Sequence, residues 1–261
     1  MTSFPQWIRK SIRKGGALVF GQKPRIHSIR FGPLKGRKIY IRFDFSPRMF
    51  FGVDEPSIAK WSEEFVAPGD VIYDIGAHIG YTCLLFAQQL ENSGSVHAFE
   101  ILPSIAEGYL KQTIDANSFT NITIHNIGLS ANTQILELPI GETGMTSIYS
   151  DRTNAQEFEM CRTISLDEYV LQKELPLPSL VKIDIEGAEV ECLLGGKEVI
   201  SKCLPRMIIE FHSLDLLKQG FSFLDPFGYR IYLPNGDKLD HSMLVGMKRF
   251  HESTLCLPDK L

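Results

Sequence analysis

Val71-Ile72-Tyr73-Asp74-Ile75-Gly76-Ala77-His78-Ile79-Gly80-Tyr81-Thr82 is the stretch that decides the fold. Its first five residues are a short, mostly apolar run of strand length, and Ile79–Leu90 reads as a helix. Between them, Gly76 lets the turn be tight, and Gly80 lets the new helix pack close to the strand. A strand, a glycine turn and a helix make the first unit of a βαβ array.

Downstream the unit repeats in pattern though not in sequence. Val96–Glu100 is a second run, followed by a helix over Ser104–Ala116, and Asn121–Ile127 is a third. Leu180–Ile185 is a fourth, with a helix over Ala188–Ile200 behind it, and Met207–Phe211 is a fifth. Apolar strands alternating with helices predict an α/β fold, a doubly wound, mostly parallel sheet buried on both faces. Residues 133–165 break the order and read as an inserted β-hairpin or meander around Gly141 and Gly144. After Phe211, Tyr229–Leu233, the turn Pro234-Asn235-Gly236-Asp237 and Thr254–Leu257 predict an antiparallel edge. Upstream, Ser57–Val66 reads as a helix with Ile58, Trp61 and Phe65 at helical spacing, closed by Pro68-Gly69. The turn Gly32-Pro33-Leu34-Lys35-Gly36 separates two strand-like runs. The expected organisation is a basic N-terminal region over residues 1–45 and one large domain over 46–261.

No stretch of the 261 residues approaches the roughly 18 consecutive apolar residues of a membrane span. Five scattered cysteines without a CxxC pair argue against a disulfide framework or a zinc knuckle, and point to a reduced, cytoplasmic setting. Cys83, Cys192 and Cys203 sit among apolar neighbours as small core residues. The net charge of −4 hides an asymmetry: residues 1–50 carry +11 and the remainder −15. A basic amphipathic helix at Trp7–Lys14 would suit peripheral contact with an anionic surface; the alternatives are a transit peptide or a basic flap docked on its own acidic domain. The acidic body and the lack of an RNA-reading motif disfavour nucleic acid as a partner.

In an open parallel sheet, ligands bind at the carboxyl ends of the strands. Glu100 ends the second strand, 20 residues after Gly80, where an acid can accept both hydroxyls of a ribose. A dinucleotide would need glycines at 78 and 81 to admit a pyrophosphate, and these are His78 and Tyr81. S-adenosylmethionine carries no phosphate and tolerates side chains there, with Asp74 organising the loop that receives its amino-acid end. Asn126 and Ile127, at the end of the third strand, are placed near the adenine. The inserted hairpin, at Met145-Thr146-Ser147, is the candidate lid over an acceptor.

At this point the residues resemble a known family, the FkbM methyltransferases. The Val71–Thr82 run is similar to its DxGAxxGxY pattern, which often has Asn at the place of His78. His97-Ala98-Phe99-Glu100 resembles its AFEP motif, with Ile101 where the family has proline and Pro103 two residues on. Lys182-Ile183-Asp184-Ile185-Glu186-Gly187-Ala188-Glu189 resembles KIDxEGxE, and Leu194-Gly195-Gly196 follows as expected. Ile208-Ile209-Glu210-Phe211-His212 resembles its closing ExH strand, and Glu55 matches a glutamate common before the first strand. The resemblance covers about residues 50–215. It implies a Rossmann-like class I methyltransferase fold and O-methylation of a sugar, glycan, lipid or natural-product hydroxyl by S-adenosylmethionine. The implied cofactor residues are Glu55, Asp74, Gly76, Ala77, His78, Gly80, Tyr81, Thr82, Glu100, Ile101 and Asp184.

Asp184 ends the fourth strand beside the first, and Lys182 lies on the same side two residues earlier. A buried lysine must be paired, with Asp184 as the near partner and Glu100 or Glu210 as others. Asp184 can orient or deprotonate an acceptor hydroxyl while Lys182 tunes its charge; alternatively the two form a structural pair beneath the cofactor. Glu186, Gly187 and Glu189 open the following helix, whose positive end suits carboxylates, so one of these acids can be merely a cap. Glu210 and His212 share one face of the fifth strand. With Asp184 they can form an acid–base cluster, His212 the general base, or hold a divalent cation, although no metal site is assigned. The competing readings are a non-catalytic S-adenosylmethionine-binding scaffold and a nicotinamide-dependent oxidoreductase, the latter opposed by His78 and Tyr81.

Overall fold

The computed structural model describes residues 23–43, 46–91, 93–140 and 157–259. The basic segment at Trp7–Lys14 and the proposed lid at Met145-Thr146-Ser147 lie outside them. The first elements among the described residues form an antiparallel hairpin, β1 (Arg25–Ser28) and β2 (Lys38–Ile41), whose turn is the one read from Gly32–Gly36. Helices α1 (Pro47–Phe51) and α2 (Pro56–Phe65) lead into β3 (Val71–Ile75) and α3 (Tyr81–Gln89). β4 (Ser95–Glu100) is followed by a π-helical segment, Ser104–Leu110, that runs into α4 (Lys111–Asn117). After β5 (Ile122–Asn126) come β6 (Gly128–Leu129), β7 (Gln134–Pro139), β8 (Phe158–Ile164) and α5 (Leu166–Lys173). Then follow β9 (Leu180–Ile183), α6 (Glu189–Gly195), α7 (Lys197–Cys203), β10 (Arg206–Phe211) and α8 (Leu214–Leu224). β11 (Tyr229–Tyr232), α9 (His241–Gly246) and β12 (Glu252–Pro258) close the described chain.

The central sheet has the order β11-β12-β10-β9-β3-β4-β5. The five strands anticipated from the apolar runs are parallel to one another, so this part is the α/β architecture expected. The reversed strand is not the outermost: β12 inserts between β10 and β11 and runs antiparallel to both. It is nonetheless well covered, because Leu255 and Cys256 are buried on opposite faces. The inserted segment is a separate sheet in which β7 and β8 pair antiparallel and β6 joins β8 in parallel.

The period-two rule of strands divides the sheet between two cores. Ile72, Val96, Ala98, Leu180 and Ile208 face one core, packed with residues of β1–β2 and α1–α4. Tyr73, Ile75, Phe99, Val181, Ile183, Met207, Ile209 and Phe211 face the other, packed with residues of α5–α8. Asp74, Lys182, Glu100 and Glu210 fall on the first face by the same alternation, and Asp74 and Lys182 are direct register partners. These four charged residues are thus gathered on one side, towards the carboxyl ends of their strands.

Four local readings need correction. The helix expected over Ala188–Ile200 is two helices, α6 and α7, broken at Gly196. The strand expected to reach Ile185 stops at Ile183, where the bond from Asp184 N to Ile75 O at 3.1 Å is the last between β9 and β3. The turn at Pro234–Asp237 does not join the last two strands directly; α9 intervenes, capped by Asp240 accepting from Met243 N at 2.9 Å. Gly80 does not serve the strand beside it: a Cβ there would meet Leu110 Cδ1 at 2.8 Å, so it admits the neighbouring helix.

Residues 29–43 contribute Ile29, Leu34, Ile39, Ile41 and Phe43 to the first core. Asn117 clasps β2, accepting from Lys38 N at 2.9 Å and donating to Lys38 O at 2.6 Å, while Tyr40 N donates to Thr113 Oγ1 at 3.1 Å. All five cysteines are free, and four are buried. Among the described residues no helix is long and apolar enough to cross a membrane.

Candidate active site

The loop after β3 is built to hold a fixed shape. Gly76 and Ala77 both donate to Phe99 O, at 3.0 and 2.9 Å, which docks the turn on the end of β4. His78 adopts φ +47, a left-handed conformation tolerated best by Asn, Asp and His among non-glycine residues. Its amide donates to Glu100 Oε2 at 3.0 Å, and Leu102 N donates to Glu100 Oε1 at 2.9 Å. Each oxygen keeps a lone pair for a further donor such as a hydroxyl. Burial pushes the Glu100 carboxyl up to about 7, against these backbone donors. Asn126 Nδ2 donates to Glu100 O and Ile101 O at 2.9 and 3.2 Å, tying the ends of β4 and β5, and Ile127 is buried beside it.

Beneath the loop, Asp74 is fully buried. Its Oδ2 accepts from Thr82 Oγ1 at 2.6 Å and Cys83 Sγ at 3.1 Å, so it braces the first turn of α3. Tyr81 is buried in that same turn. Lys182 Nζ lies 3.4 Å from Asp74 Oδ1 and 3.4 Å from Asp184 Oδ2, and donates to Gly76 O at 2.9 Å. Burial alone would lower the pKa of Lys182; Asp184, Asp74 and Glu55 outweigh it and raise it. The anticipated Asp184 partner is therefore present and Asp74 joins it. Among the described residues Glu100 and Glu210 form no ion pair with this lysine.

A second cluster adjoins the first through Asp184. His212 Nδ1 sits 2.9 Å from Glu189 Oε1, and its Nε2 sits 3.3 Å from Glu186 Oε2 and 3.7 Å from Asp184 Oδ1. Burial opposes protonation of His212, but Glu189, Asp184 and Glu186 together raise its pKa to about 9. Imidazolium is thus its resting form near neutrality, which does not suit an unassisted general base. Glu210 pairs instead with His251 Nε2 at 3.2 Å, and the His251 ring lies 4.7 Å from that of His212. Glu55 stands at φ +44 at the start of α2; burial and the charges of Asp54, Glu210 and Asp184 raise its carboxyl to about 7.

The structure thus brings Asp74, Gly76, Lys182, Asp184, Glu210, His212 and Glu55 to one end of the sheet, with Glu100 beside the loop. Sequence reasoning missed His251 and gave Glu186 and Glu189 only a capping role. Glu189 does accept from Gly187 N at 2.8 Å, but it is fully buried and spends the same oxygen on His212. The alternation of Glu210 and His212 carried the signal for an acidic partner. His251 carried none, because it reaches the site just ahead of β12, beside the register pair Phe211–Glu252.

Residues 74–231 match the family described as the methyltransferase FkbM domain. A hexuronic acid methyltransferase, AglP, from Haloferax volcanii is 29% identical over 163 residues, 61% of this chain and 63% of that protein. The chain therefore spans less than two thirds of that relative's length. A solved FkbM methyltransferase from Methylobacillus flagellatus superposes with TM-score 0.48 at 19% identity, covering 76% of this chain and 50% of its own. A SAM-dependent O-methyltransferase from Thermotoga maritima superposes with TM-score 0.48 at 13% identity, covering 94% and 82%.

Proposed function

The chain belongs to the FkbM methyltransferase family, and on that premise we propose that it methylates a hydroxyl oxygen of a sugar or sugar-containing acceptor. The donor fitted to the site is S-adenosylmethionine. Its sulfonium and ammonium are cationic and its ribose offers hydroxyls, which suits a loop flanked by Glu55, Glu100 and Asp184. When bound, it supplies the methyl group already activated for displacement.

The residues of this chain then have distinct tasks. Glu100 accepts from ribose hydroxyls through the lone pairs that His78 N and Leu102 N leave free. Glu55 accepts from the ammonium of the amino-acid end. Asn126 and Ile127 border the adenine. Asp184, a quarter exposed at the end of β9, orients the acceptor hydroxyl and takes its proton as oxygen bonds to the methyl carbon. Lys182 is a positioning residue: it ties Asp184 to the Gly76 carbonyl and so fixes the acceptor side relative to the donor loop. Glu210 and His212 frame the acceptor.

The Lys182 bridge is the observation that carries this reading, since it joins the donor loop and an accessible carboxylate through one buried ammonium. The sugar acceptor is supported by the hexuronic acid relative. Calorimetric titration with S-adenosylhomocysteine should show binding that Glu100→Gln weakens about tenfold or more. With uronic acid-containing acceptors and labelled donor, Asp184→Asn should lose methyl transfer by about 100-fold or more while keeping that binding. A folded protein that binds no S-adenosylhomocysteine, or an Asp184→Asn variant of full activity, overturns the assignment.

A further inference from the structure

We propose that Asp184, Glu186 and His212 form a divalent-cation site whose open positions receive oxygen atoms of the acceptor. The proposal rests on the methyltransferase reading for its purpose, though not for its existence.

One ligand atom from each of the three residues lies within 4.8 Å of the others. His212 Nε2 stands 3.3 Å from Glu186 Oε2 and 3.7 Å from Asp184 Oδ1. Two ligands bound at about 2.1 Å in adjacent positions lie roughly 3.0–3.5 Å apart, so the set is spaced for a shared ion with little movement. The carboxylate oxygens are free for the task, and the ion would take the place of the proton on His212 Nε2. Asp184 turns its other oxygen, Oδ2, towards Lys182, which leaves Oδ1 for the ion. Glu186 sits at φ +54 in the loop between β9 and α6, a left-handed conformation held away from the helix it precedes.

The support behind the imidazole is the second observation. Glu189 is fully buried and its Oε1 lies 2.9 Å from His212 Nδ1. A carboxylate on one ring nitrogen fixes the ring and presents the other nitrogen as a ligand, the usual arrangement behind a metal-bound histidine. The second oxygen, Glu189 Oε2, is buried and has no hydrogen-bond partner among the described residues. A buried carboxylate left with one bare oxygen needs positive charge nearby. Asp184, Glu186, Glu189 and Glu210 are four carboxylates in this cluster, and Lys182 is the buried lysine facing it. A divalent ion that displaces the His212 Nε2 proton would add one further positive charge to this cluster.

Two carboxylates and one imidazole with open positions suit Mn2+ or Mg2+. An acceptor bearing a carboxylate or neighbouring hydroxyls would complete the coordination and be held beside Asp184. Glu210 and His251, which also lie within 4.8 Å of His212 at a ligand atom, flank the same place and would meet the far side of such an acceptor.

The test is Mn2+ alone, added to the full chain without donor or acceptor and followed by electron paramagnetic resonance of free Mn2+. One tight equivalent is expected, weakened about tenfold or more in Glu186→Gln and in His212→Gln. Glu186→Gln is the decisive variant, since its side chain is one-third exposed and glutamine keeps its size; an unchanged circular dichroism spectrum checks that it folds. Mn2+ should also raise the melting temperature of the natural chain and not that of Glu186→Gln. Absence of binding at millimolar Mn2+, or binding that both variants leave unchanged, overturns the site. S-adenosylhomocysteine titration reports separately on the donor, so a failure of the methyltransferase reading would show there with Mn2+ binding untouched.

Discussion

Gly76 shows how much a single position can carry. Its φ is +78, and a Cβ placed there would lie 1.8 Å from the carbonyl oxygen of Asp184, a backbone atom that cannot swing aside. The same carbon-free gap lets Asp184 N bond to Ile75 O and lets Lys182 reach the Gly76 carbonyl, so the loop of β3 and the end of β9 are packed backbone to backbone. A left-handed non-glycine residue costs about 1–3 kcal/mol, and displacing packed backbone adds about 1–3 kcal/mol, so Gly76→Ala should lose roughly 2–6 kcal/mol. Gly36 is the control. It has φ +87 with nothing within 4 Å of where a Cβ would stand, so Gly36→Ala should cost only the backbone strain, about 1–2 kcal/mol. Urea midpoints of the two variants measure the difference, and equal losses would mean that the contact with Asp184 is not what Gly76 protects. Glycine is readable in the sequence as a turn former; its contact with Asp184 is not, because that partner lies more than a hundred residues away.

Between β4, β5 and α5 runs a buried chain of polar side chains outside the site. Ser95 Oγ lies 3.3 Å from His97 Nε2, His97 Nδ1 lies 3.0 Å from His125 Nε2, and His125 Nδ1 lies 3.1 Å from Tyr169 Oη. The two imidazoles stack on each other at 5.3 Å between centroids, and His125 stacks on Phe99 at 4.7 Å. Two adjacent rings can each use a donor and an acceptor only if both are neutral. Burial lowers both pKa values, with His97 and Lys173 adding to the effect at His125, which falls to about 4. An unfolded histidine titrates near about 6.5, so between that value and about 4 the unfolded chain binds a proton that the folded one refuses. Stability should therefore fall as pH drops through this window, by on the order of 2–3 kcal/mol from His125. His125→Gln should flatten the loss measured by urea unfolding between pH 7 and pH 4.5; an unchanged slope would sink the account. At this scale the sequence is legible where periodicity rules. β3 can be read to the residue, and β4 and β10 to within a residue at either end, because each is a mostly apolar run buried on both faces; the edge strand β5 is read as closely from its alternating Ile122 and Ile124. The histidine chain cannot, since it depends on cross-strand diagonals that need the register. The break at Gly196 is hidden because the apolar periodicity continues across it, and α9 is too short to register as a period. Lys182, Asp184, Glu210 and His212 are legible as a group because strand alternation puts them on one face, whereas His251 lies just ahead of β12, whose pairing with β10 local pattern does not reveal.

For the molecule as a whole, the segment that identifies the family is smaller than the segment that makes the fold. Residues 74–231 begin inside β3 and end inside β11. They omit β12, which pairs with β10 through Met207–Cys256 to Phe211–Glu252 and with β11 through Tyr229–Pro258 to Tyr232–Leu255. Without it β10 presents an unpaired edge, and β11 has no partner in the sheet. They also omit Asp70, whose carboxylate holds Arg206 at 2.7 Å, and the hairpin residues that cover the first core. That hairpin is docked by apolar side chains and by the Asn117 clasp more than by charge. Arg37 lies over the Phe119 ring at 4.8 Å and Arg30 over Phe50 at 5.3 Å, so the basic excess near the start of the chain is partly spent on aromatic faces. Loss of both β12 and the hairpin removes core from both faces of the sheet at once, more than marginal stability of about 5–15 kcal/mol can absorb. Residues 23–259 should therefore unfold in one cooperative transition by urea, with near-ultraviolet circular dichroism of packed aromatics. Residues 74–231 alone should show neither. If the shorter segment unfolds as cooperatively as the longer one, β12 and the hairpin are attachments to a self-sufficient core. If it does not, the hairpin, the returning strand and His251 that it carries belong to the same folding unit as the donor loop, and a change in any of them reaches the site.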